Sequence, residues 1–254
     1  MGISPERAAR DQADQVYYVP ENMTYREWEK KCAFSKINQY KGSRTDAVDS
    51  TEVPEDVQKD VNNAIEKIEK DFPSILELVQ NILFGDCGKA LGENRVNTTI
   101  DGVFTYKIVL NKSAFSNRES LLKALSVDYL DGTSYNTDRI ESLVAHELGH
   151  SAHHAVIQKR IGYHGGKMTS KMAELYKSQY DQILQEIYVA AFPDEDYPDI
   201  TAQEIFKSIE AELGTMAKNN AAELIAQSFG NYYYGSKKSR IATKIVEWFK
   251  EELK

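Results

Sequence analysis

Cysteine is scarce in this chain: Cys32 and Cys87 are the only two in 254 residues. They cannot build a disulfide framework and do not have zinc-finger spacing, so they read as small semi-buried residues. An excess of positive charge is also missing. The formal net charge is −8, with 31 lysines and arginines against 39 aspartates and glutamates. That balance argues against nucleic acid as a partner. No apolar run reaches the length of a transmembrane helix. The first residues are polar and charged, which does not suit a signal peptide. The expectation is therefore a protein with no membrane partner, made in the cytoplasm. Internal repeats and low-complexity tracts are lacking too. The length allows one sizeable domain, or one domain with an appendage.

Histidine is rare but concentrated. All five histidines fall between His146 and His164. Two of them belong to His146-Glu147-Leu148-Gly149-His150, an H-E-x-x-H motif. Residues four apart share a helix face, so both imidazoles can bind one zinc ion. Glu147 sits about 100° further round, where its carboxylate can hold the attacking water. The flanking run predicts a helix over 138–157. Ile140, Leu143, Val144, Leu148, Ala152, Ala155 and Val156 recur at spacings of three and four, and no proline interrupts them. Thr137 or Asn136 is the expected N-cap. Burying His146, Glu147 and His150 without a metal would be costly.

The rest of the chain predicts an α+β fold, mostly helical, with a small sheet. Pro54 opens a helix whose stripe is Val57, Val61, Ile65 and Ile68, and Phe72-Pro73 ends it. A second, buried helix is expected over 75–83. Residues 98–110 read as β, with Asp101-Gly102 as a hairpin turn before the strand 103–110. The element order suits an edge strand beside the metal that takes an extended peptide by strand addition, and it suits plain sheet core equally; the sequence does not separate the two. Helices are expected from Ser116 or Asn117 to Leu125, from Met168 to Ala190, from Thr201 to about Leu213, from Asn219 or Asn220 onward, and from Ser239 to Glu252. Residues 38–53 are polar and aperiodic and read as a linker. Ahead of it, Ser4-Pro5 and Thr24 each open a short helix.

A hydrolytic zinc site takes three protein ligands and keeps a fourth position for water. A metzincin would need a glycine three residues after His150 and a histidine six residues after it. The chain has His153 and Val156 there, so that class is disfavoured. His153 and His154 lie two turns from His146, too far to share its ion. They read as outer-sphere or surface residues, and His164 as a minor ligand or substrate-contact candidate. Glu223 is the stronger candidate for the third ligand. Asn220-x-x-Glu223 also has capping-box spacing, and spacing alone leaves the two roles evenly matched.

Two resemblances bear on these choices. His146-Glu-Leu-Gly-His150 together with Ala222-Glu-Leu-Ile-Ala-Gln-Ser-Phe229 is similar to the gluzincin-type zincin metallopeptidases, especially the anthrax-lethal-factor-like and phage-associated branch. It covers about residues 54–254. The resemblance implies a zincin-like metallopeptidase domain over 54–254, a Zn2+ cofactor, a peptide or protein substrate, and the third-ligand role for Glu223. The family's second glutamate is Gln227 here, able to hydrogen-bond a motif histidine without bringing charge. A family tyrosine that serves the oxyanion is Met216 here. Tyr163, Tyr232, Tyr233 or Tyr234 can stand in for it, and His154 and His164 complete the outer candidates. Gly2-Ile-Ser-Pro-Glu-Arg-Ala-Ala-Arg10, Tyr17-Tyr18 and Met23-Thr-Tyr-Arg-Glu-Trp28 resemble the stretch after the core of MuF-type phage minor head proteins. That implies an N-terminal arm over 1–37, phage head proteins as partners, and a phage virion as an alternative location. Two rival functions accompany it: a virion structural protein with a non-catalytic zinc site, and a metalloprotease toxin.

Overall fold

The computed structural model describes residues 15–18, 53–85, 87–98, 104–134, 139–165, 168–193 and 195–254. The expected helices at Ser4-Pro5 and Thr24, the body of the linker and most of the arm lie outside them. The fold is α+β and mostly helical, with a small mixed sheet.

Helix α1 (Glu55–Asp71) forms on an apolar stripe at spacings of three and four. Val57, Val61, Ala64, Ile65 and Ile68 are all buried on it. Glu55 and Asp56 at its start and Lys70 at its end suit the helix dipole. Phe72 terminates it, and Pro73 sits in the first turn of α2 (Pro73–Leu78). Val53, at the end of the expected linker, is buried in the core.

The expected helix over 75–83 is half right. Residues after Leu78 leave the helix and form strand β2 (Val79–Gly85). Ile82, Leu83 and Phe84 are buried there, and β2 runs parallel to β4 (Phe104–Asn111). A short continuous apolar run serves a buried helix or a buried strand equally well, and the sheet partner decides it. Strand β3 (Gly92–Thr98) pairs antiparallel with β4, from Gly92 opposite Leu110 to Thr98 opposite Phe104. The turn expected at Asp101-Gly102 lies outside the described residues. Strand β1 (Gln15–Tyr18) adds parallel to β3, giving the order β1-β3-β4-β2. Of the two readings of this strand, the sheet-core one holds: β4 lies between β3 and β2, and β3 lines the site.

Helices α3 (Lys112–Phe115) and α4 (Arg118–Leu130) follow, capped by the side chains of Asn111 and Asn117. The motif lies on α5 (Ile140–Ile161), where Val144 through Ile157 are buried without a break. A helix buried on every side sits at the centre of its domain. It ends on Gly162, whose φ of 64° is the left-handed stop that glycine adopts readily. Its start shows Arg139 at the cap position with no side-chain cap bond, and the expected caps Thr137 and Asn136 lie outside the described residues. Around α5 pack α6 (Ser170–Ala191), α9 (Ala221–Tyr234) and α10 (Arg240–Glu252), with α7 (Ala202–Leu213) and α8 (Thr215–Asn219) against α9. Thr201 and Glu204 form a full capping box on α7, and Ser239 caps α10. No helix among the described residues is long and apolar enough to cross a membrane.

Candidate metal centre

Helices α5 and α9 touch where α5 has no side chain. A Cβ added to Gly149 would stand 2.9 Å from the Ala226 Cα and 3.0 Å from the Phe229 Cβ. Glycine at this position lets the two helix backbones approach closely. One turn before Ala226, Glu223 projects from α9 toward the motif face of α5. Its carboxylate oxygens lie 3.6 Å from His146 Nε2 and 3.7 Å from His150 Nε2. The two imidazoles stand edge to face, with ring centroids 5.0 Å apart.

These distances exceed hydrogen bonds and suit shared coordination. Two donors bound tetrahedrally at zinc distances stand about 3.4 Å apart. One ligand atom from each of His146, His150 and Glu223 falls within 4.8 Å of the others, so the three can hold one metal ion. The donor set of two imidazole nitrogens and one carboxylate oxygen suits zinc chemically. Burial, and after it the neighbouring His150, hold His146 well below the ordinary imidazole range. The neutral ring this favours is the form that binds a metal.

Glu223 is not part of a capping box. Asn220 caps α9 by accepting from the Glu223 backbone N–H at 2.8 Å, whereas the Glu223 carboxylate faces the histidines. The cap and the carboxylate therefore use different parts of one residue.

A cleft of about 400 Å3 opens over this group. Its walls come from β3 (Gly92, Glu93, Asn94), α4 (Leu125, Asp128), α5 (Leu143, His146, Glu147, His150) and α9 (Glu223, Gln227), with Met216 beside them. Glu147 is buried against β3, where a Cβ on Gly92 would meet its Oε1 at 2.8 Å. Asn94 locks strand to helix. Its amide donates to the Glu147 backbone carbonyl at 3.0 Å and to the Ser151 hydroxyl. Sequence reading missed Gly92 and Asn94. Their strand is rich in glycine, asparagine and charge, and only the hairpin partner reveals it.

Gln227 lines the cleft and bonds neither motif histidine. Its carbonyl oxygen accepts from Ser134 at 2.8 Å and its amide reaches Met216 Sδ at 3.0 Å. The remaining candidates stand elsewhere. Tyr163 and His164 line a separate cavity with Tyr106 and Gln158. The buried His154 bonds the Tyr176 hydroxyl. Tyr232 donates to Glu247, Tyr233 to Asp71 and Tyr234 to the Asn63 carbonyl. Burial and Asp71 push the Tyr233 phenol well up, and burial does the same to Tyr234. None of these tyrosines lines the cleft. Lys89, Asn94, Ser134, Ser142 and Gln227 line it, and the last four already donate within the fold.

Comparisons with known proteins return nothing: no family model, no curated protein and no solved structure matches the chain.

Proposed function

We propose that this protein is a zinc-dependent metallopeptidase in which His146, His150 and Glu223 hold the ion and Glu147 is the general base. The convergence of those three donors at the floor of a cleft, with Glu147 between the histidines in sequence, carries the reading. Three donors rather than four among the described residues suit a catalytic site, since structural zinc is usually closed by four protein ligands. When bound, zinc would polarise the scissile carbonyl and make water acidic enough to attack near neutral pH. Glu147 takes the proton from the attacking water and returns it to the leaving amine nitrogen. Gly92 leaves room for the Glu147 carboxylate, and Asn94 fixes the turn of helix that carries it. The backbone of Gly92–Asn94 runs along the cleft, where an extended peptide can align by strand addition.

The test is Glu147→Gln. Zinc content should stay at that of the wild type, and cleavage of a mixed peptide library should fall by at least about a thousandfold. Undiminished cleavage would remove Glu147 from the chemistry. Bound zinc with no cleavage even in the wild type would leave a structural staple.

A further inference from the structure

The cleft continues past the metal ligands. Leu143 lies one turn before His146 on the same helix face, and Leu125 of α4 lines the cleft with it. Asp128, three residues after Leu125, also faces in. On this side the cleft is thus lined by two leucines and, one helical turn from Leu125, a carboxylate. No lysine or arginine among the described residues forms an ion pair with Asp128, although Lys89 lines the same cleft. The other carboxylate of the rim, Glu93, is already held by Arg95 at 2.6 Å. Burial first, and then the neighbouring Asp131, push the Asp128 carboxyl up. A cation placed there would relieve both costs.

From this arrangement we infer that the cleft selects peptides carrying lysine or arginine beside the scissile bond, the aliphatic stem along Leu125 and Leu143 and the cationic head on Asp128. Such side chains pair an apolar stem with a charged tip, which matches two leucines beside an acid. An acidic residue at that position would meet Asp128 as a like charge, and leucine would leave it unpaired. The inference rests on the peptidase reading for its substrate, and its test separates the two.

Binding of short peptides that differ only in one residue (Lys, Leu or Glu) is measured by calorimetry on zinc-loaded Glu147→Gln protein, which needs no turnover. The lysine peptide should bind about tenfold tighter than the leucine peptide, and the glutamate peptide weaker still. In Glu147→Gln/Asp128→Asn the lysine advantage should vanish, and in Glu147→Gln/Asp128→Lys the order should invert, with zinc content constant. Equal binding of all three peptides, or a lysine preference that survives Asp128→Asn, overturns the inference. Either result leaves peptide hydrolysis standing, because that reading is decided by the cleavage assay with Glu147.

Discussion

The Asn94 amide donates to the backbone carbonyl of Glu147 across the gap between β3 and α5. This bond ties the strand to the one helical turn whose side chain does the proposed chemistry. Asn94 is buried, so its loss is not repaired by water. Asn94→Leu should destabilise the protein by about 1–3 kcal/mol. It should also lower turnover more than zinc affinity, because the metal ligands are untouched. Denaturant melts paired with zinc titration and peptide kinetics read the difference; equal losses in all three would reduce Asn94 to a packing residue.

Gly149 governs the approach of α9. In Gly149→Ala the new methyl would overlap the Ala226 backbone, which cannot swing aside as a flexible side chain can. The helices must separate, at a cost of about 1–3 kcal/mol, and Glu223 moves with its helix. Zinc affinity should fall together with stability. Wild-type affinity in a folded Gly149→Ala protein would show that the Glu223 position does not depend on this contact.

Glu223 itself divides two roles. Glu223→Ala leaves the backbone N–H that Asn220 caps, so helix α9 should persist. The metal group loses its carboxylate, and zinc affinity should drop by more than about a hundredfold. Circular dichroism and competitive zinc titration together decide it, and unchanged affinity would return Glu223 to the helix terminus alone.

Acid should weaken the metal-free protein through His146. Folding holds this ring below its ordinary value of 6.5, so the unfolded chain takes up a proton first as pH falls. The stabilisation is complete above about pH 6.5 and is lost as pH drops toward the depressed folded value. Thermal melts of zinc-free protein should show Tm declining below that point, with the decline shallower in His146→Asn. Parallel curves for the two proteins would assign the acid sensitivity to other groups.

Much of this was legible from residue spacing, because helices advertise themselves through periodic burial. His146, Glu147 and His150 need only a helix to stand together, and the apolar pattern around them supplied it. Thr201, Asn220 and Ser239 announced their helix starts through cap chemistry. The sheet was harder to see. Val79–Gly85 carries its apolar residues Ile82, Leu83 and Phe84 in one continuous run and Gly92–Thr98 is largely polar, so neither alternates. Their conformation is fixed by partners distant in sequence, which no local window contains. The same blindness hid Asn94 and Gly92. The tyrosine candidates stand away from the cleft for a related reason. Tyr232, Tyr233 and Tyr234 follow Glu223 closely along the chain, but on α9 they point toward α10 and α1. Composition marks such residues as versatile; only three-dimensional placement tells which one reaches a given atom.

The four-residue pairing of Gln15–Tyr18 with Arg95–Thr98 has a steric corollary. A row of amides and carbonyls on one margin of a sheet accommodates a single neighbour. A visiting chain that docks at Gly92 has three residues, roughly 10 Å of strand, before it collides with a segment of the same molecule. On the proposed reading, a longer substrate strand would have to peel that segment away, so it and residues 15–18 would contend for the same margin.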